Sequence, residues 1–566
     1  MILSHQVRRG EYADSIVLMQ LQSSLAGLDK IDDAGVVMAT EANLDILRAN
    51  SLLPDDLSLD DLGADDLLLV VRAESESAAQ DALERVDELL VRRSGAAAAD
   101  SAGDDPTGID YHPKSLRGGL KSLPEAVWVL ISTPGRFAAG VAQEALESGR
   151  HVFLYSDNVS IEDEARLKGE ARERGLLVMG PDCGTAMVQG VGLGFANRVR
   201  RGPIGIVAAA GTGLQAVATR VHSLGHGVSH ALGTGGRDLS EAVGGATALQ
   251  GLDLLARDPE TRVVVLVSKP PAPAVASRVL AAARGCGKPV VVTFSGLTPP
   301  VERVGNVRFA RGLDEAARMA VEAVEDSSEI DSRDPAAGYL RGLFSGGTLA
   351  LEVLHGLAVF LDPVFSNLHA DGVSTLDDPG RSRAHTILDL GADEFTVGRL
   401  HPMIDPDLRN RRVLQESADP EVALILLDVV LGEGAHANPA EALAPVVRKA
   451  LERTGLEIVV LLMGTEEDPQ NLEEQGALLG QAGALIFRTN EQVIGYVAGR
   501  VGPATQALKV QVPLETLTTP FAAVNVGLEM FYSSLVDQEQ RAVHVDWRPP
   551  AGGNERLAAI LKKLKS

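Results

Sequence analysis

Two short glycine-threonine turns are the residues of this sequence best suited to chemistry. The first is Gly211-Thr-Gly213, which follows the run Ile206–Ala210, and the second is Ser345-Gly-Gly-Thr348, which follows Phe344. In each turn, glycines let backbone N–H groups converge on one point, and the helix that follows directs the positive end of its dipole there. Turn geometry alone would explain either motif, but two of them suggest a phosphoryl group held between two helix ends. The predicted phosphate-binding residues are Gly211, Thr212, Gly213, Ser345, Gly346, Gly347 and Thr348.

A dense polar cluster follows the second turn. It comprises Arg399, His401, Asp405 and Arg409. His401 is a candidate general acid or base, and the arginines are candidate clamps for an anion. We therefore predict these four as catalytic residues, although a histidine before proline is also a common turn element. Asp428 is predicted to bind substrate, because it follows an apolar run, where open α/β sheets place ligand-facing groups. It could equally cap the next turn.

Two further loops follow predicted strands. Arg237 and Asp238 end the loop Gly233-Thr-Gly-Gly-Arg-Asp238 and are predicted to bind substrate, with Arg237 offering a guanidinium to a phosphate or carboxylate. The alternative is that Arg237 pairs with neighbouring acids. Ser132, Thr133 and Pro134 would contact a nucleotide-like ligand, or they only start a helix. Cys183 has no histidine nearby in sequence, which argues against a nucleophilic role.

Composition narrows the classes of function. The chain has 566 residues and a formal net charge of −25, which makes nucleic acid and anionic membranes poor partners. Two cysteines without CxxC spacing exclude a disulfide scaffold and a structural zinc site and are typical of a reducing cytoplasm. No apolar run approaches a membrane span of about 20 residues. We therefore expect a cytoplasmic protein without a bound metal.

Short apolar runs that alternate with helical patterns predict an α/β protein with parallel sheets. Linker-like composition at 94–105 and 325–335 separates the predicted domains. The predicted α/β domains at 201–325 and 336–502 repeat one order of elements: a glycine-threonine turn, a helix, and a strand that ends in a polar loop. In chain order the predicted domains are residues 1–96, 107–200, 201–325 and 336–502, with a C-terminal docking segment at 503–566.

Several segments together resemble the succinyl-CoA synthetase superfamily, and most closely the FdrA family within it. Gly180-Pro-Asp-Cys-Gly-Thr185 is similar to the segment that closes the synthetase CoA-binding domain. Gly205–Gly213 is similar to the α-subunit strand and helix that face the phosphohistidine, and Phe344–Leu349 to the matching helix start in the β-subunit. The resemblance implies a small N-terminal α/β unit, a Rossmann-like CoA-binding-type domain and two flavodoxin-like domains.

Three parts of the synthetases have no counterpart here. The nucleotide-binding ATP-grasp domain is missing, and Leu297–Gly305 takes the place of the histidine loop without containing a histidine. The glycine-rich turn that grips the CoA pyrophosphate is reduced to Lys114–Lys121. The resemblance therefore leaves CoA binding at Ser132, Thr133 and Pro134 open, with inorganic phosphate or carbamoyl phosphate as the expected ligand.

The FdrA family is linked to a multi-subunit oxamate carbamoyltransferase of purine (allantoin) catabolism, which phosphorolyses oxalurate to oxamate and carbamoyl phosphate. The resemblance implies that this chain is a subunit of such an enzyme. The alternatives are a subunit of a nucleotide-dependent acyl-CoA synthetase (an acid–thiol ligase) and a non-catalytic scaffold that binds acyl phosphates. Partner subunits are expected to dock on the tail, where Trp547 and Arg548 are residue types enriched at interfaces.

Overall fold

The computed structural model describes residues 1–9, 15–54, 57–59, 62–63, 66–87, 89, 113–326, 337–503 and 507–549. The described chain forms two compact units. One contains the described residues within 1–122, 132–138 and 544–549, and the other contains the described residues within 123–131 and 139–543. The predicted linker at 94–105, most of that at 325–335 and the basic C-terminal helix lie outside the described residues. No helix within the described ranges is long and apolar enough to cross a membrane.

The N-terminal sheet has three antiparallel strands in the order β1-β3-β2. Its elements are β1 (Ile2–Arg8), α1 (Ser15–Ala26), β2 (Ile31–Met38), α2 (Glu41–Ala49), β3 (Leu67–Ala73) and α3 (Glu76–Glu84). Leu67–Val71 of the central strand are buried, which explains their continuous apolar sequence. Strand β1 was not predicted, because most of its side chains remain partly or fully exposed and its sequence alternates weakly.

The second sheet has five strands in the order β23-β22-β4-β5-β6. Its elements are β4 (Trp128–Ile131), α5 (Gly135–Glu147), β5 (His151–Leu154), α6 (Ile161–Arg174), β6 (Val178–Met179), β22 (Ala522–Val526), α18 (Glu529–Val536) and β23 (Arg541–Val545). It is preceded in the chain by α4 (Leu116–Ser122). Strand β22 pairs in parallel with β4, and Val524 and Val526 are buried. The prediction of a separate C-terminal segment at 503–566 is therefore wrong for β22, which completes a buried sheet with β4.

The third sheet has eight strands in the order β13-β14-β12-β11-β9-β10-β7-β8. Its strands are β7 (Thr185–Val188), β8 (Val191–Gly194), β9 (Arg201–Ala208), β10 (Val228–Gly233), β11 (Val263–Ser268), β12 (Val290–Phe294), β13 (Arg303–Val304) and β14 (Val307–Phe309). Its helices are α7 (Gly211–Ser223), α8 (Ala246–Arg257), α9 (Pro273–Gly285) and α10 (Leu313–Glu325). Because β7 pairs with β10, residues 185–194 belong to this sheet, and the predicted boundary at residue 200 is too late.

The fourth sheet has seven strands, all paired in parallel, in the order β17-β16-β18-β15-β19-β20-β21. The strands are β15 (Tyr339–Phe344), β16 (Val364–Ser366), β17 (Ser374–Thr375), β18 (His385–Asp389), β19 (Val422–Val430), β20 (Glu457–Met463) and β21 (Leu485–Phe487). The helices are α11 (Gly347–Leu357), α12 (Asp393–Thr396), α13 (Asp407–Ser417), α14 (Pro439–Ala450), α15 (Leu472–Gln481) and α16 (Asn490–Arg500), and α17 (Glu515–Thr518) follows.

In the second, third and fourth sheets, parallel pairing places the carboxyl ends of the central strands at one edge, which is where ligands bind in open α/β folds. One hydrophobic cluster continues from β4 and β5 through the third sheet to α11 and β15. Between the third and fourth sheets, Phe309 and Phe360 stack edge to face with ring centroids 5.6 Å apart. The structure confirms the predicted α/β fold class with parallel sheets.

Candidate functional site

The N-terminus of α7 presents free backbone donors. Ala210 precedes the helix in an extended conformation, with φ −152° and ψ 108°, and no side chain caps the helix. The first N–H that is bonded within the helix is that of Leu214, which donates to Ala210 O at 2.9 Å. Among the described residues, the N–H groups of Gly211, Thr212 and Gly213 have no acceptor. Three converging donors at the positive end of a helix dipole favour an anion.

One positive side chain, that of Lys269, lies near this edge of the third sheet. Lys269 follows β11, whose Val267 pairs with Ala208 of β9, so the lysine leaves the sheet beside the start of α7. Burial raises the pKa of Asp182, the Asp157 carboxylate raises it further, and Arg237 and Lys269 oppose both. Lys269 is exposed and thus accessible to a small anion.

The N-terminus of α11 differs, because a carboxylate of the chain already occupies it. Asp428 is fully buried on β19, and its two oxygens accept the N–H groups of Ser345 at 2.7 Å and Gly346 at 2.8 Å. The buried Arg409 guanidinium donates to Ser345 Oγ at 2.6 Å, to Asp428 O at 2.6 Å and to Asp428 Oδ1 at 3.2 Å. Two of the predicted phosphate donors are therefore engaged by an internal anion.

A second carboxylate, that of Asp389, lies on the other side of the α11 start. A Cβ added at Gly347 would stand 2.5 Å from Asp389 Oδ2. Asp389 ends β18, and its Oδ1 accepts the N–H of Gly391 at 2.8 Å. Burial raises the pKa of Asp389 and the nearby Asp428 adds to this, while the Gly391 N–H and His401 lower it.

His401 belongs to the same group of residues. Its Nδ1 accepts the N–H of Met403 at 3.2 Å, so in the neutral ring the proton resides on Nε2. A Cβ at Gly391 would stand 2.7 Å from His401 Nε2, 2.7 Å from Ser345 O and 3.1 Å from Asp389 Oδ1. Gly391 thus lets a histidine, a carboxylate and the start of α11 approach one another. Sequence reasoning missed Asp389, although it follows the short apolar run Ile387-Leu388 as Asp428 follows the run Val422–Leu427.

The remaining residues of the predicted catalytic cluster lie apart from this group. Arg399 is exposed, and so is Asp405, whose Oδ1 accepts the N–H of Asp407 at 3.1 Å at the start of α13. Thr348 is exposed on α11. The structure therefore brings His401 to Asp389, and Arg409 to Asp428, but it leaves Arg399 and Asp405 on the surface.

Arg237 and Asp238, the predicted substrate-binding pair, belong to a network within the chain. Lys168 Nζ is buried and donates to Glu164 Oε1, Thr234 O and Asp238 Oδ1, each at 2.8 Å. Asp238 also accepts the N–H of Ala248 at 2.9 Å near the start of α8. Arg237 Nε donates to Glu164 Oε2 at 2.9 Å. These contacts correspond to the alternative in which Arg237 pairs with neighbouring acids.

In the described chain, the segment predicted for the CoA pyrophosphate and the thiol of Cys183 are arranged as follows. The segment Lys114–Lys121 folds largely as α4 instead of an open glycine-rich loop. Ser132 and Thr133 are buried between β4 and α5, and Pro134 O accepts the N–H of Phe137 at 2.8 Å. Burial raises the pKa of the Cys183 thiol to about 12, which disfavours the reactive thiolate. No group of three potential metal ligands occurs within the described ranges.

Comparisons with known proteins give the following similarities. A family model described as CoA-ligase matches residues 343–496, and one described as "AllF, heavy metal-associated domain" matches residues 1–106. The second segment contains no cysteine, and His5 is its only histidine, so its side chains do not fit a heavy-metal site.

This chain aligns with most of the length of two similar proteins. The uncharacterized protein YahF of Escherichia coli K12 is 40% identical over 502 residues, which are 85% of this chain and 95% of YahF. Subunit alpha 2 of the ADP-forming succinate–CoA ligase of Archaeoglobus fulgidus is 30% identical over 34% of this chain and 69% of that subunit. Among solved structures, the dinucleotide-forming acetyl-coenzyme A synthetase 1 of Ca. Korarchaeum cryptofilum matches with 16% identity and a TM-score of 0.31. That match covers 70% of this chain and 86% of the synthetase.

Proposed function

We propose that this chain, which belongs to the succinyl-CoA synthetase-like family, is a subunit of an acyl-CoA-ligase-type enzyme. Its role in that enzyme would be to hold a phosphate or acyl phosphate at the N-terminus of α7. The observation that carries this proposal is the contrast between the two helix ends. The donors of Gly211, Thr212 and Gly213 have no acceptor within the described chain, whereas Asp428 occupies those of Ser345 and Gly346.

The chemistry follows from the groups at the two sheet edges. At α7, the helix dipole, three N–H donors and Lys269 would stabilise charge on the phosphoryl oxygens. In the fourth sheet, we assign proton transfer to His401 and Asp389. Both His401 Nε2 and Asp389 Oδ1 lie within 3.1 Å of the position that a Cβ of Gly391 would take. In this proposal, the third sheet binds phosphate and the fourth sheet supplies the acid–base groups.

The chain's own residues limit which steps it performs. In the described loop after β12, residues 295–302 contain no histidine, so we assign no phosphohistidine to this chain. CoA would supply the thiol of a thioester, but Ser132 and Thr133 are buried and α4 replaces an open pyrophosphate loop. We therefore route no step through CoA and assign nucleotide binding to a partner subunit.

The missing histidine also favours a second candidate, phosphorolysis of a ureido acid. Free phosphate at α7 would attack the ureido carbonyl carbon, the C–N bond would break, and the nitrogen would leave with a proton. Carbamoyl phosphate and an amide, oxamate in the case of oxalurate, would be the products. This route needs neither a nucleotide nor a phosphohistidine.

One experiment separates the two candidates. The chain is purified together with its partners from the native source, and two reactions are assayed. Thioester formation that requires both CoA and a nucleotide supports the ligase subunit. Phosphate-dependent loss of oxalurate without CoA or nucleotide supports the carbamoyltransferase. The absence of both reactions in an intact complex would contradict an enzymatic role and support the acyl-phosphate-binding scaffold.

A further inference from the structure

A cavity of about 530 Å³ lies between α8, α9, the C-terminal end of α6 and the segment 507–510. None of the candidate-site residues described above is among its described lining residues. The volume falls within the range of roughly 300–1,000 Å³ that is typical of small-molecule sites. Because it shares none of the candidate-site residues, the cavity is independent of the proposed function.

The walls combine aliphatic and cationic side chains. Leu249 and Ala256 of α8, Ala282 of α9 and Leu508 of the covering segment supply apolar surface. Three cationic side chains also line the cavity: Arg172, Arg278 and Lys509. No aromatic side chain is among the described lining residues, so the cavity offers no platform on which a nucleobase would stack.

Among the described residues, these three cations have no ionic partner, unlike two neighbouring arginines on α6 and α8. Arg174 pairs with Glu170 at 2.7 Å and Arg257 pairs with Asp253 at 2.6 Å. No carboxylate of the described chain lies within 4.0 Å of the charged nitrogens of Arg172, Arg278 or Lys509, although the chain carries a net charge of −25.

The acidic residues of the wall do not cancel this charge. Asp253 accepts hydrogen bonds from Arg257 and from Gln511 Nε2, the latter at 3.1 Å, and is thereby neutralised by a group outside the cavity. Glu173 is the other acidic wall residue, so the cations outnumber the uncompensated acids. The cavity is therefore positive at its rim and aliphatic on its walls.

We propose that this cavity binds an organic anion with an aliphatic body, whose carboxylate or phosphate ester is held by Arg278 and Lys509. The aliphatic part lies against Leu249 and Ala282. Arg172 adds positive charge at the rim, which attracts the ligand in an otherwise acidic protein.

The test is isothermal titration calorimetry of the full chain with octanoate and, separately, with hexyl phosphate. The two ligands share the aliphatic body and differ in the anionic group, so their relative affinities identify which group the site prefers. We expect saturable binding of at least one of them at one site. The double variant Arg278→Ala/Lys509→Ala should lose affinity by about tenfold or more.

Three further variants make the outcome decisive. Ala282→Phe fills the cavity and should abolish binding, whereas Arg318→Ala removes an exposed arginine of α10 and should leave it unchanged. Lys269→Glu alters the α7 site and should also leave it unchanged, which separates this proposal from the proposed function. Absence of saturable binding to the unmodified chain would overturn the proposal. Unchanged affinity in the double variant, with its fold verified by circular dichroism, would overturn it as well.

Discussion

The carboxylate of Asp428 accepts the backbone N–H of Ser345 at 2.7 Å, so the helix start in the fourth sheet carries its own anion. The start of α7 in the third sheet, which has a similar sequence, has no carboxylate acceptor in the described chain. Two turns of similar sequence therefore differ in their hydrogen bonding: Asp428 accepts the donors of one turn, and the donors of the other have no acceptor in the described chain.

We predict that Asp428→Ala lowers the free energy of unfolding by about 3–5 kcal/mol, because it leaves Arg409 buried without a counter-ion. Urea denaturation monitored by circular dichroism measures this. The matched control is Asp371→Ala, which removes an exposed aspartate in the turn between β16 and β17 and should change the free energy by less than about 0.5 kcal/mol. Equal effects of the two substitutions would show that the Asp428–Arg409 pair does not stabilise the fold.

Gly347→Ala should destabilise the protein by about 1–3 kcal/mol, because the new methyl group would stand 2.5 Å from Asp389 Oδ2. Gly140→Ala is the control. Gly140 lies inside α5 with nothing within 4 Å of its added Cβ, so alanine should stabilise by about 0.5–1 kcal/mol. The melting temperatures of both variants should move in opposite directions, and a shift of the same sign would contradict the crowding at α11.

The stability should fall in mild acid because three histidines are buried in the neutral form. Burial lowers the pKa values of His151, His230 and His385 to about 4. The nearby Arg150 lowers the first further, and Arg341 does the same for the third. Between the unfolded value of about 6.5 and the folded value, the unfolded chain binds more protons than the native chain. The stabilisation is therefore complete above pH 6.5 and is lost as the pH falls toward 4.

Each of these histidines should contribute about 1.4 kcal/mol per pH unit in that window. Urea denaturation at pH 7.5, 6.0 and 5.0 measures the slope. In the structure, His230 Nδ1 accepts the N–H of Gln189 at 3.1 Å, so His230→Asn offers an uncharged acceptor. This variant should show a slope about one third smaller than that of the unmodified chain. Stability that stays constant from pH 7.5 to 5.0 would contradict the buried neutral histidines.

Lys168→Met should lower the free energy of unfolding by about 3–5 kcal/mol, because it leaves the carboxylate of Asp238 buried without a cation. The buried Glu164 would then keep only its ion pair with Arg237. Arg237→Gln should cost less than about 1 kcal/mol, because the Arg237 side chain is 44% exposed and its ion pair is screened by solvent. Chemical denaturation of both variants compares the two losses. A larger loss of stability in Arg237→Gln than in Lys168→Met would contradict the assignment of the stabilising charge to Lys168.

The starts of α7 and α11 could be predicted from sequence, because each glycine-threonine turn directly follows an apolar run. The partners of those turns could not. Asp389 reaches α11 only through the parallel pairing of β15 with β18, and Asp428 only through the pairing of β15 with β19. Local patterns do not report such non-local pairing. The tail was misassigned for the same reason, since β22 is buried only through its pairing with β4, a strand far earlier in the chain.

The central claim is that the N-terminus of α7 binds a phosphoryl group, and calorimetric titration with phosphate and acetyl phosphate tests it most directly. Glycine variants are poor probes, because a Cβ at Gly213 would stand 3.0 Å from Val267 Cγ1 and disturb the packing. Lys269→Glu reverses an exposed charge beside the site, and Lys449→Glu makes the same change at an exposed position on α14. We predict saturable binding that Lys269→Glu weakens by about tenfold, or 1.4 kcal/mol, and that Lys449→Glu leaves unchanged. No binding to the unmodified chain, or equal affinities in the two variants, would contradict the claim.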